Sequence, residues 1–190
     1  MGRWEPNARE RLQRSALALF AERGYDSTTA AGIAEGAGLG KSTFFRHFAD
    51  KREVLFDGQE QLNEALVAAI AAAPAEAGPY EVIGLALDAM GAFFGPERLE
   101  WARQRQAVVQ AHSELREREL LKIASLTEAF AGSLRARGLG ATAAGVAAEL
   151  GGLAFRAAFA GWIAPDNALG FPEVARRELA AVREAAASLD

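Results

Sequence analysis

Lys41, Ser42 and Thr43 are the residues of this chain best equipped for polar chemistry: a cation and two hydroxyls stand directly behind glycines at 36, 38 and 40. Two kinds of binding use such a set. In a phosphate loop, glycines expose backbone N–H groups that cradle a nucleotide, and the lysine reaches its phosphates. In a helix-turn-helix, the same residues open a short helix that enters the major groove of DNA. Spacing separates the two. The phosphate loop requires four residues between its first glycine and the Gly-Lys pair, whereas Gly36 and Gly40 are separated by three and Glu35 occupies the required position. Context separates them further. Such a loop follows a buried strand, and residues 30–37 are few, alanine-rich and helical in spacing.

Other chemistries lack their residues. With no cysteine the chain forms no disulfide, thiolate metal site or thiol nucleophile, and with His47 and His112 as its only imidazoles a histidine metal cluster is not expected. No Ser-His-Asp order stands out. The expectation is therefore a protein that is not an enzyme, with no catalytic residue, metal or cofactor. A hydrophobic content of 51% and a charged content of 24% over 190 residues suit one globular domain or two small ones. The net charge of -4 argues against indiscriminate coating of nucleic acid, but it is unevenly shared: residues 1–57 carry nine Lys/Arg against eight Asp/Glu, and residues 58–190 carry twelve against seventeen. The first residues, MGRWEPNARER, place charges and a proline where a signal peptide needs an apolar run, and later apolar stretches are interrupted before about 18 residues. No membrane partner is expected, and the cytoplasm is the expected compartment.

The elements that must position Lys41 to Thr43 read as helices. Leu12, Ala16, Leu19 and Phe20 fall on one face of a helix over residues 6–23, which Gly24 stops. A polar connection, residues 25–29, ends in hydroxyls suited to accept from the free N–H groups of a second helix, over 29–37. After Gly38-Leu39-Gly40 a third helix covers 41–48. Ile33 and Ala34 are expected to pack against Leu39, Phe44 and Phe48, leaving Lys41, Ser42, Phe45 and His47 outward. Lys41 then reaches a guanine edge or a phosphate, Ser42 and Thr43 reach bases or phosphates, and Phe45 a thymine methyl or sugar. Arg46 fits a backbone contact and an internal salt bridge equally. Residues 51–73 read as one long fourth helix, ended by Pro74 to Pro79.

The rest continues in helical pattern: 80–94, 97–110, 113–137, 142–163 and 172–189. The helix over 142–163 is crowded with small residues, Gly145, Gly151, Gly152 and Gly161 among them. Glycine costs about 1 kcal/mol relative to alanine inside a helix, so a neighbouring helix must approach closely, either within the chain or across a symmetric four-helix dimer interface.

Residues 9–56 resemble the DNA-binding domain of the TetR/AcrR family of bacterial transcriptional regulators. The run FAERGYDSTTAAGIAEGAGLGKSTFFRHFADKREVLF, from Phe20 to Phe56, carries the resemblance through its aromatic-Gly-Tyr segment, its Thr pair, Ile33-Ala34, Ala37-Gly38, Lys41 with Thr43, Arg46-His47-Phe48 and Lys51. The resemblance implies an all-α fold, with a three-helix helix-turn-helix domain at 1–50 joined to a helical ligand-binding and dimerisation bundle at 51–190. It implies that Thr29, Thr43, His47 and Lys51 clamp the phosphate backbone. It also implies a homodimeric repressor whose recognition helices stand about 34 Å apart on palindromic double-stranded operator DNA, released by a small-molecule effector. The chain departs from the family at Phe45, where a tyrosine is usual, at Ala31-Gly32, where a charged pair is usual, and at Gly40, where a capping residue is usual. These changes trim polar contacts, and Arg3 or Arg9 near the N-terminus would compensate. They also leave open a helical adaptor that has lost DNA binding.

For the effector, aromatic and polar residues on the later helices are the candidates: Phe93, Phe94, Trp101, Arg105, His112, Phe130, Phe155 and Phe159. Trp101, Arg105 and His112 share one face, and a cation beside an aromatic suits an anionic head on an apolar body. The run over 105–126 is similar to a subset of the family associated with acyl-CoA-like ligands.

Overall fold

Leu12, Ala16, Leu17 and Phe20 recur at helical spacing, and all four are buried on one face of α1 (Ala8–Arg23). In this computed structural model, which describes residues 7–189, ten α-helices follow one another with two short 3-10 turns and, among the described residues, no strand. Arg3, expected as an accessory contact, and the start of the first helix at Pro6 lie outside the described residues. The chain divides into two compact units. One comprises the described part of Met1–Asp57 with Trp101–Glu119, the other Gly58–Glu100 with the described part of Leu120–Asp190. Relative to a boundary at residue 50, the first unit also takes in 51–57 and 101–119.

In the first unit, α1 packs on α2 (Ala30–Gly36), α3 (Lys41–His47) and α4 (Glu53–Phe56) around a core of Leu12, Ala16, Phe20, Ile33, Phe44 and Leu55. The second helix is two turns long, too short to persist alone, and is held by that core. The single fourth helix expected over 51–73 is two helices, α4 and α5 (Gln59–Ala72). Asp57 is extended and Gly58 adopts φ +85, a left-handed conformation that breaks the helix and favours glycine. The break is pinned from α1, since Arg9 Nε and Gln13 Nε2 donate to Asp57 Oδ2 at 2.7 and 2.9 Å.

The second unit is built on α6 (Pro79–Met90), packed on α5, α9 (Ala141–Ile163) and α10 (Phe171–Ala187). The helix expected over 80–94 ends at Met90 and tightens into a 3-10 turn, Gly91–Phe93. A Cβ at Gly91 would lie 2.8 Å from Pro172 Cγ of α10, so the close packing there depends on glycine. Next come α7 (Leu99–Ala111) and α8 (Ser113–Ala136), just beyond which Arg137 donates from Nη1 to the Ile70 and Ala73 carbonyls at 3.1 and 2.9 Å and so caps α5.

Three of the four glycines of α9 lie against other helices of the chain, whereas a Cβ at Gly145 would meet nothing within 4 Å. A Cβ at Gly151 would meet Ile83 and Phe130 at 3.4 Å, one at Gly152 would meet Thr127 Oγ1 at 2.7 Å, and one at Gly161 would meet Val174 at 3.0 Å. At 23 residues, with Glu149 and Arg156 its only charges, α9 is long and apolar enough to cross a bilayer by length and composition. This corrects the reading that every apolar stretch is too short. One side of it belongs to the core, where Phe155, Ala158 and Trp162 are buried, while Val146 and Leu153 are exposed.

Candidate nucleic-acid interface

The turn between α2 and α3 is set by its glycines and by hydrogen bonding. Gly38 adopts φ +65, its N–H donates to Glu35 O at 2.8 Å and the Leu39 N–H donates to Ala34 O at 2.8 Å, the paired closure of a Schellman motif. Arg11 of α1 adds a bond from Nη2 to Ala37 O at 2.6 Å. Gly36 allows α2 to lie close on α1: a Cβ there would stand 2.6 Å from Ser15 Oγ, which donates to Ile33 O. α2 and the turn that follows it are thus held to α1 by two hydrogen bonds and a close approach at Gly36.

Phe44 and Phe48 are buried with Ile33 and Ala34, as expected, and the opposite side of α3 faces outward. Lys41, Ser42, Phe45 and Arg46 are exposed, while Thr43 and His47 are half-buried. Phe45 is 49% exposed, a large apolar ring held in water, with the Lys41 ammonium 5.9 Å from its centroid. Gly40 is extended and provides no side-chain cap, so the first N–H groups of α3 have no hydroxyl in front of them. Arg9 lies over the Phe48 ring at 5.3 Å and pairs with Asp57.

Thr29 caps α2, accepting from the Gly32 N–H at 3.1 Å, and is exposed. Thr28 differs from the expectation of a second acceptor. It is buried and donates to Gly24 O at 2.8 Å and Leu19 O at 3.3 Å, closing the end of α1. Lys51 has internal partners: its ammonium donates to the carbonyls of Tyr25, Asp26 and Thr28 at 2.6, 3.3 and 3.1 Å and lies 4.2 Å from the Tyr25 ring centre. Burial pushes the Tyr25 phenol well above the ordinary tyrosine range, and the Glu114 carboxylate adds to the rise.

Asp50 starts α4. Its Oδ1 accepts from the backbone N–H groups of Arg52 and Glu53 at 2.8 and 3.1 Å, and its Oδ2 accepts from Arg52 Nε at 2.9 Å. Burial works to raise this carboxyl, but the bonds from Arg52 outweigh it and hold the value below the ordinary one. Replacing Asp50 by alanine is expected to cost about 1 kcal/mol, the usual worth of such a cap. Asp50→Asn keeps an acceptor and loses the charge. A carboxyl lowered in the folded state stabilises above its unfolded value, about 3.9, and the gain is lost as pH falls through the folded value. Urea melts of Asp50→Asn and the parent protein should therefore differ at neutral pH and converge in acid.

The effector candidates are divided. Trp101, Arg105 and His112 belong to the first unit, whereas Phe93, Phe130, Phe155 and Phe159 belong to the second. Arg105 is 3% exposed and committed: Nε donates to Leu55 O at 2.8 Å, Nη1 and Nη2 donate to Glu119 at 3.1 and 2.5 Å, and the guanidinium lies 5.0 Å from the Phe56 centroid. His112 Nδ1 is 3.0 Å from Val108 O and its ring packs against Tyr25. These two residues hold α7 to the helix-turn-helix unit and do not offer a free cation to a ligand. Within the second unit, Phe94 stacks on Phe171 at 4.3 Å and meets Phe155, Phe159 and Trp162 edge-on or tilted at 5.5 to 5.9 Å. Phe130 is buried against Gly151 instead, and Phe93 is half-buried.

Sequence reasoning missed the clamp on α4. Arg105 and Arg118 both lie over the Phe56 ring, and Arg118 pairs with Glu53. A signal was present in the density of arginines over 103–118, but their partner lies some 50 residues upstream, beyond the reach of helical periodicity.

Comparison with known proteins adds to this geometry. Residues 13–57 match the family model described as bacterial regulatory proteins, tetR family. Over 82 residues, 43% of this chain, it is 40% identical to the HTH-type transcriptional regulator TcmR of Streptomyces glaucescens, and the match spans 36% of that relative. Among solved structures, the fold is similar to the TetR family transcriptional regulator PfmR from Thermus thermophilus, with 27% identity, a TM-score of 0.52, and coverage of 90% of this chain and 96% of that one. It is also similar to the Thermus thermophilus repressor FadR in complex with lauroyl-CoA, with a TM-score of 0.52 and coverage of 93% of each chain; at 23% identity this likeness concerns the fold alone.

Proposed function

We propose that this chain is a TetR-family transcriptional regulator, a cytoplasmic, ligand-responsive repressor that grips palindromic operator DNA as a homodimer and releases it when a small, largely apolar effector binds. The observation that carries the DNA contact is the division of α3 into a buried side, Phe44 and Phe48, and an exposed side, Lys41, Ser42, Phe45 and Arg46. A short helix bolted by two aromatics, with a cation, a hydroxyl and an apolar ring outward, has the reach and chemistry for phosphates, base edges and thymine methyls. Thr29, Thr43 and His47 flank that side as backbone contacts. Mobility shift on DNA from upstream of the gene tests it: binding should fall steeply with salt, since each neutralised phosphate releases counterions. Failure to bind any such fragment at low salt would favour the adaptor.

Support for a homodimer comes from α9. Val146, Leu150, Leu153, Ala157 and Ala160 recur on one helical face, and Val146 and Leu153 are 56% and 45% exposed. Two copies joined through such a face and α10 would form a four-helix interface. Leu153→Glu, on an exposed position, is expected to leave helicity intact and to give monomers by sedimentation at concentrations where the parent protein is dimeric. Persistence of the dimer would place the interface elsewhere.

The effector is assigned to the second unit, with Phe93, Phe130, Phe155 and Phe159 as candidates and Phe94 joining the last two rings. An acyl-CoA-like ligand is supported by the resemblance of residues 105–126, although Arg105 has partners of its own. Thermal-shift measurement against acyl-CoAs, fatty acids and aromatic compounds tests the class. A true effector must also weaken operator binding, because coupling of about 1 to 3 kcal/mol acts in both directions.

A further inference from the structure

We infer that Lys51 is a positioning residue for the DNA-binding surface and not a phosphate contact; the inference rests on the DNA-binding reading above. An ammonium has three N–H donors and no acceptor. In Lys51 all three have partners, the carbonyls of Tyr25, Asp26 and Thr28 at 2.6, 3.3 and 3.1 Å, and the ring of Tyr25 at 4.2 Å adds a cation–π contact. A phosphate oxygen would have to displace one of these bonds.

The location gives the contact its purpose. Lys51 follows α3 by four residues, and its acceptors lie in the loop that leads into α2. One side chain therefore ties the chain leaving the recognition helix to the chain entering the first helix of the pair. The same loop is fastened from the other side by Thr28, whose hydroxyl donates to Gly24 O and Leu19 O, and by the Thr28 N–H on Tyr25 O at 3.2 Å. The next residue is Thr29, exposed, capping α2, and placed among the phosphate contacts. Its register relative to Lys41 and Ser42 is set by this loop, because a one-residue connection to a doubly anchored turn leaves it little freedom.

Two replacements separate positioning from contact. Lys51→Met keeps the stem and removes donors and charge. Lys51→Arg keeps the charge but offers a planar fork that does not converge on three carbonyls above a ring. Positioning predicts that both variants bind upstream DNA about tenfold more weakly, that neither changes the slope of log affinity against log salt, and that amide exchange at Thr28 quickens in both while the second unit is unaffected. A phosphate contact predicts full affinity for Lys51→Arg and a slope smaller by about 0.9 for Lys51→Met; that result overturns the inference. So does parent-like affinity in Lys51→Met, or unchanged exchange at Thr28. If the parent protein binds no upstream fragment, the DNA reading fails and this inference with it, whereas the exchange arm, which needs no DNA, still shows whether Lys51 holds the loop.

Discussion

Lys41→Ala is expected to weaken operator binding by about 1 to 3 kcal/mol, roughly 5- to 150-fold, with helicity and dimerisation unchanged. The residue opens α3 and is exposed, and its ammonium lies 5.9 Å from the centre of the Phe45 ring, itself exposed. An exposed side chain at the first position of a helix loses its charge at little cost to the fold. Fluorescence anisotropy with the operator fragment measures the effect, and the pattern tells which contact is lost. A uniform loss on all sequences with a salt slope smaller by about 0.9 means a phosphate, and a loss confined to the operator with relaxed base preference means a guanine edge. Binding unchanged in a folded dimer would remove α3 from the DNA contact.

The largest effect on stability is expected at Glu119. Arg105 is almost fully enclosed, and apart from the Leu55 carbonyl its strong partner is the Glu119 carboxylate. Removing one member of a buried ion pair leaves an uncompensated charge and costs about 3 to 5 kcal/mol, so Glu119→Ala should lower the melting temperature by roughly 6 to 20 °C for a chain of this size. Arg105→Met with Glu119→Ala removes both charges and should recover much of the loss. Thermal unfolding of the two single variants and the double variant measures this. Additive losses would mean that the two side chains act independently. Because Arg105 and Arg118 grip α4 around Phe56, the single variant should also slacken the contact of α7 and α8 with the helix-turn-helix.

Much of this protein is legible in order along the chain. Gly24, Gly38, Gly138 and Pro165 stand just past helix ends, Gly78-Pro79 opens α6 and Gly95-Pro96 opens the second 3-10 turn, and the aromatic spacing of Phe44 and Phe48 identifies the buried side of α3. What escaped reading depends on partners far away in sequence. Gly58 lies inside a continuous apolar pattern, and its break becomes intelligible when Arg9 and Gln13 meet Asp57. Trp101, Arg105 and His112 do lie on one helical face, but the face turns to Leu55, Phe56 and Tyr25 of the first unit. The donors of Lys51 meet a loop that precedes them by more than 20 residues. In each case a contact distant in sequence, which helical spacing does not carry, decides the partner.

The absence of cysteine from the chain offers the most direct test of the central claim, that the outer side of α3 enters the major groove. Ser42→Cys introduces a single thiol on that side, and Ser113→Cys places one at the exposed start of α8. Each is labelled with a short photocrosslinker and bound to an upstream fragment. Crosslinks are expected from position 42 to major-groove base edges in two half-sites one helical turn apart, and none from position 113. Crosslinks from 113 with silence at 42 would contradict the claim.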